Sequence, residues 1–170
     1  MYFQAISQLA RNLQIVETWL DKAEDFATNK KFDVDLLMTS RLAPDMKPFV
    51  YQVQSACDYV KAAAAWLSEQ APPKHEDNER TIAEVRGRVR KTVAFVGSLK
   101  AEQYARAREQ KIRMSWAPQG KVLGGEDYLL QMSIPNVYFH LAMAYAILRH
   151  NGVDIGKMDF LGGANWVDAT

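Results

Sequence analysis

A helix that is apolar on two adjacent faces has to sit inside a bundle, and residues 136–150 spell such a helix. At helical spacing Asn136, His140, Met143 and Ile147 share one face, while Val137, Leu141, Ala144 and Leu148 share the next. Pro135 suits a first turn and Gly152 suits a C-terminal stop, so the helix is expected to begin at Pro135 or Asn136. Other helices must then supply the surfaces that bury it.

The chain offers three. Phe3, Ile6, Leu9, Leu13, Val16, Leu20, Ala23 and Phe26 recur at intervals of three and four, which predicts a first helix from Tyr2 to Asn29. A short helical turn is expected around Asp33–Met38, ending near Pro44. Val50, Val53, Cys57, Val60, Ala64 and Leu67 repeat in the rhythm of a bundle seam. They predict a second helix starting near Asp45–Pro48, with Asp45 as its N-cap, and stopping before Pro72 and Pro73. Ala62–Ala65 would let a neighbouring helix approach closely. A polar loop over 72–78 precedes a third helix, expected over 79–99 with Ile82, Val85, Val89, Val93, Val96 and Leu99 inward. Arg86, Arg88, Arg90 and Lys91 make this helix locally basic; they read as a solvated face near acidic groups of other helices, with an anion contact as the alternative.

Residues 100–134 have no clean helical period. Lys111–Trp116 alternate, as does part of Tyr128–Ile134, with Pro118, Gly120, Gly124 and Gly125 between them. A hairpin joining the third helix to the last is the expectation, over a crossover long enough to cover a pocket mouth. After Gly152 an ordered coil should pack Phe160 and Trp166 on the bundle. The fold expected is thus all-α, a four-helix bundle in one domain over residues 1–170.

Composition excludes several functions. A formal net charge of +1 gives no general attraction to nucleic acid. The single Cys57 cannot form an internal disulfide; on the inward seam it reads as an inert packed thiol. There is no apolar run of about 18 residues to span a membrane. Gln4, Gln8, Arg11 and Asn12 interrupt the apolar N-terminus, so no secretory leader is expected and the cytoplasm is the default location. Neither a phosphate-cradling glycine-rich turn nor a G-x-S-x-G elbow occurs.

Chemistry concentrates on His140. An inward imidazole needs partners for two ring nitrogens, and Gln52 and Gln54 on the second helix, or the hydroxyls of Tyr51 and Tyr145, are candidates. As a metal ligand His140 would need about three His or carboxylate groups converging from facing helices. One turn earlier stands Asn136, whose amide oxygen is a weak donor for zinc, nickel or iron. His75 falls in a polar loop, and His150 lies about 15 Å further along the helix axis. Trp66, Trp116, Tyr128, Tyr138, Phe139 and Trp166 are candidate pocket linings, with core packing or a dimer face expected for most.

The helices with a long crossover before the last, and the Leu148-Arg149-x-x-Gly152 close, resemble the DinB/YfiT-like metalloenzyme superfamily. That superfamily carries a His-x-x-x-His pair on the last helix, and counting back from the close puts His140 in the second position and Asn136 in the first. Its remaining histidine lies on the second helix, where residues 49–56 offer only glutamines. More closely, the chain resembles a domain-of-unknown-function branch of it. That likeness rests on Leu-Ala-Pro-Asp-Met at 42–46, Gln-x-x-x-Ala-Cys-Asp at 52–58, the run from Phe139 to Gly152 and Asp-Phe-Leu-Gly at 159–162. The resemblance implies the bundle fold and a degraded metal site. It leaves three expectations: a small-molecule pocket between the second and last helices, floored by His140, Asn136, Gln52, Gln54 and Tyr145; a metal-dependent transferase or isomerase built on His140 with Asn136, Gln52 or Asp45; or an interaction module. A homodimer through exposed apolar helix faces is expected as well.

Overall fold

Each helical period in the sequence becomes a helix, and the departures come at their ends. The computed structural model describes residues 1–169. Helices α1 (Tyr2–Gln14) and α2 (Val16–Lys30) form one bent arm rather than the single helix expected. The break falls at Ile15, whose carbonyl accepts from the Thr18 hydroxyl at 2.6 Å; such back-bonding bends helices. A 3-10 turn, Val34–Thr39, follows, capped by the Asp33 side chain on the Asp35 amide. Helix α3 (Phe49–Leu67) is the seam, with Phe49, Val53, Cys57, Val60, Ala64 and Leu67 fully buried and Val50 only half so.

Asp45 does not cap α3: the helix starts later, with Pro48 as its N-cap and no side-chain cap, and the Phe49 amide donates to the Ser40 carbonyl at 2.9 Å. Helix α4 (Ile82–Gly97) starts three residues later than expected, at a capping box between Thr81 and Glu84. Asp35 reaches across to accept from the Ile82 amide at 2.7 Å, which pins the 3-10 turn to the start of α4.

The crossover holds a minimal hairpin. Strands β1 (Lys111–Ile112) and β2 (Leu123–Gly124) pair antiparallel, Lys111 opposite Gly124 and Ile112 opposite Leu123. The second arm therefore lies earlier than the expected 128–134, which is helical instead. Residues 128, 129 and 133 are the buried ones, a spacing of four to five that suits a helix rather than a strand. Helix α5 (Gly125–Asp127) leads through a π-helical turn, Tyr128–Ser133, into α6 (Ile134–His150). Gly125 is required here, since a Cβ would stand 1.8 Å from the Ala107 carbonyl oxygen.

Helix α6 packs most extensively against α3, and α1 and α4 close the four-helix bundle. It ends in a Schellman-type turn: Gly152 takes φ +98°, and the Val153 amide donates to the Leu148 carbonyl. A last short helix, α7 (Lys157–Leu161), docks Phe160 on Trp19, whose indole N–H donates to the Asp159 carbonyl at 2.9 Å. Trp166, expected on the bundle, is instead 90% exposed. No helix among the described residues is long and apolar enough to cross a membrane.

Candidate functional site

At the α3–α6 seam, His140 meets Gln52. The imidazole Nδ1 and the Gln52 Oε1 are 2.8 Å apart, and the Gln52 amide nitrogen donates to the Lys47 carbonyl at 2.9 Å. The second bond decides the first. A backbone carbonyl only accepts, so the glutamine NH2 faces Lys47 and its oxygen faces the ring. Nδ1 must then carry the hydrogen, which leaves Nε2 as a lone pair with no hydrogen-bond partner among the described residues. Burial pulls the His140 pKa below its ordinary value, so the ring is neutral at pH 7. Its Nε2 can accept a hydrogen bond or take a proton.

Three rings surround this imidazole. Tyr59 lies nearly parallel to it, with centroids 5.8 Å apart, and Tyr51 and Phe139 meet it edge-on. Tyr59 also lines a pocket of about 180 Å³ with Asp58, Ala62, Trp66, Met114, Ser115, Trp116 and Tyr128. The hollow has a simple origin. Tyr59, Ala62 and Trp66 share one face of α3 at intervals of three and four, and the alanine leaves a gap between two large rings. Ala62, expected to admit a neighbouring helix, opens onto this gap, whereas Ala63, Ala64 and Ala65 are the fully buried ones.

The far wall comes from the π turn, which brings Tyr128 to within 5.4 Å of Trp66, centroid to centroid. Burial pushes the Tyr128 phenol up to about 12, so it stays protonated. π turns widen a helix and recur at functional sites. This one is held by Asn136, whose side-chain amide donates to the Met132 carbonyl at 2.6 Å.

Of the residues expected to floor one pocket, the fold brings Gln52 and His140 together, with Asn136 one turn away on α6, and none of the five lines the aromatic pocket. Gln54 points elsewhere and donates to Glu79 at 2.8 Å. Tyr145 packs on Trp19 and Phe160, and its hydroxyl donates to the Ile155 carbonyl. Asp45 lies exposed in the turn before α3. Cys57 is fully buried, and burial pushes its thiol up to about 12, so it offers no thiolate.

The metal implied by the resemblance does not fit this donor set. No group of three His, Cys, Asp or Glu side chains among the described residues is placed to hold a metal ion, and the amides of Gln52 and Asn136 are both directed at backbone carbonyls.

One cluster escaped the sequence reading. Arg88, expected on a solvated face, has a side chain only 2% exposed. It bonds Asp58 at 2.9 Å, Asp77 at 2.8 Å, Glu79 at 3.1 Å and the Glu76 carbonyl at 3.0 Å, and so straps the 72–81 loop onto α3. Burial alone would raise the Glu79 pKa; bonds from Gln54 and Arg88, with the Arg88 charge, bring it below its ordinary value. Asp58 joins this cluster to the aromatic pocket. Tyr59 was missed too, although its spacing to Ala62 and Trp66 was readable. By contrast Arg86 pairs with Asp21 and Glu24, and Arg90 with Glu17, the acidic neighbours expected from other helices.

A family model described as a domain of unknown function, DUF1993, matches residues 1–161. The chain is also similar to a DinB family member protein from Shewanella denitrificans, known from its crystal structure. The two are 40% identical, with 99% of this chain and 95% of that chain covered and a TM-score of 0.93. No curated protein matches.

Proposed function

The chain belongs to the DUF1993 family, a domain of unknown function with a DinB-like helical fold, and on that footing we propose that it binds a small molecule in the hollow that α3 forms with the crossover and the π turn, next to the α3–α6 seam. The observation that carries this reading is the Lys47–Gln52–His140 relay, which fixes one imidazole tautomer and leaves Nε2 unpartnered beside the ring of Tyr59. His140 does not itself line the hollow; the ring of Tyr59, which does, stacks on its imidazole and joins the fixed acceptor to an otherwise mostly apolar site of the kind that takes small ligands. In this arrangement His140 orients the ligand, Gln52 orients His140, and Asn136 acts at one remove by holding the turn that carries Tyr128.

Phenol and indole test it, since each joins an apolar ring to a single hydrogen-bond donor. Titration into 15N-labelled protein should move the His140 ring nitrogens together with the Trp66 and Trp116 indole signals, and His140→Phe should abolish the response. Unmoved His140 resonances at saturating probe, or a response that survives His140→Phe, would overturn the reading.

A further inference from the structure

Resting on the small-molecule reading, we infer that the hollow beside Tyr59 is an aromatic cage for the quaternary ammonium head of a small organic cation. Four of its walls are π systems, Tyr59, Trp66, Trp116 and Tyr128, and Met114 supplies a soft apolar fifth. The negative faces of such rings attract a cation, tryptophan most strongly, and recognition of quaternary ammonium is the characteristic use of the arrangement.

The charge in the lining has the matching sign. Asp58 is the one ionised side chain in the lining. Its Oδ1 takes both Arg88 and Lys61, while Oδ2 has no hydrogen-bond partner among the described residues. The cluster behind it sets Arg88 and Lys61 against Asp58, Asp77 and Glu79, two cations against three carboxylates, so neither cation is left unpaired to repel a positive ligand.

The lining also selects among cations. A primary ammonium presents three donors and is strongly hydrated, and beyond Asp58 the side chain of Ser115 is the main acceptor available. A tetra-alkylated nitrogen presents no donors and asks for none. Trp116, 62% exposed on the crossover, has an indole face left open that such a head would cover.

Tryptophan fluorescence and calorimetry with tetramethylammonium and choline test the cage at constant ionic strength, with 3,3-dimethyl-1-butanol as the neutral carbon isostere of choline. Choline should bind about tenfold more tightly than the isostere, and Trp116→Leu should remove most of that difference while Trp116→Phe keeps part of it. Trp116 is exposed, so neither variant threatens the fold. Equal binding of choline and its isostere would overturn the cage and leave the small-molecule reading standing. Absence of choline binding alongside a phenol or indole response at His140 would do the same. If all five compounds fail to bind, both readings fall.

Discussion

Gln52→Leu is the sharpest test of the relay, because it removes two hydrogen bonds while nearly keeping the volume of a side chain that is 3% exposed. The wild-type amide holds the His140 Nδ1 hydrogen at 2.8 Å and the Lys47 carbonyl at 2.9 Å. Leucine leaves both without partners. Stranding the N–H of a half-buried imidazole costs about 1–2 kcal/mol, and the Lys47 carbonyl, on an exposed residue that water can reach, adds only about 0.5 kcal/mol. The added apolar burial returns part of this, so a net loss of about 1–2 kcal/mol is expected, a fall in Tm of roughly 2–8 °C for a chain of this length. Thermal unfolding measures the loss, and long-range 15N–1H correlations report the tautomer. Wild-type protein should show a protonated Nδ1 and a bare Nε2 at His140, and Gln52→Leu should lose that preference. Gln52→Glu should raise the His140 pKa, since a carboxylate beside Nδ1 favours the imidazolium. A wild-type His140 that carries its hydrogen on Nε2, or a leucine variant that melts with wild type, would refute the relay and the ligand role built on it.

Other outcomes follow from the same geometry. Arg88→Met strands Glu79, whose side chain is 10% exposed, while Asp58 and Asp77 still reach water; the loss in urea unfolding should therefore be near the low end of the range for a broken buried pair, about 3 kcal/mol. Gly125→Ala drives a methyl group into the Ala107 carbonyl and should cost about 1–3 kcal/mol by the same assay, with faster proteolysis of the 100–124 crossover. Burial holds His140 and His75 below their ordinary pKa, so the unfolded chain binds protons first. Stability should be complete above about pH 6.5 and fall as pH drops through that value, and His140→Phe with His75→Gln should flatten the fall. Gln52→His with Asn136→His would set three imidazoles at the α3–α6 seam, and calorimetry should then detect zinc or nickel binding that is lost again on His140→Ala.

The sequence made the bundle legible because burial follows simple periods. The seam of α3 from Val53 to Leu67 and the Val137, Leu141, Ala144 and Leu148 face of α6 are buried where their spacing put them, whereas Asn136, His140 and Met143 on the adjacent face are only half-buried. Errors arose where one local rule met a competing partner. An acidic residue before a proline suggested that Asp45 caps α3, yet the helix starts later, after Pro48, where the Ser40 carbonyl accepts from its first amide. Thr81-x-x-Glu84 is a readable capping box, and it sets the start of α4 more sharply than the apolar period did. Gln54 could have been separated from Gln52, since residues two apart on a helix point roughly 200° away from each other and only one can face α6. The π turn was not readable, because a burial spacing between four and five imitates a broken strand as easily as a widened helix. Of the aromatic pocket, Trp66, Trp116 and Tyr128 were readable as candidate linings, but their meeting was not, since it depends on the crossover returning Met114 and Trp116 to the face that Ala62 left bare.

His140, Asn136 and Gln52 acquire a common explanation once their hydrogen bonds are followed. At the positions where the DinB-like pattern has histidines on the last helix, this chain has one imidazole and one amide, and the α3 partner of the imidazole is a second amide. Both amides donate to main-chain carbonyls, Gln52 to Lys47 at the start of α3 and Asn136 to Met132 in the π turn. A neutral imidazole at either position offers one N–H, and that N–H would have to replace the amide donor. At residue 52 it would also have to supply the acceptor that fixes Nδ1–H on His140. Both amides thus support backbone, and Gln52 also fixes one tautomer of His140, whereas an imidazole making the two contacts of Gln52 would use both ring nitrogens and keep no lone pair for a metal. The arrangement offers one basic nitrogen, Nε2 of His140, on a ring that Gln52 orients and Tyr59 covers. That nitrogen suits an organic ligand better than a transition metal, because one fixed acceptor orients a donor group, whereas a metal needs several such donors converging on it.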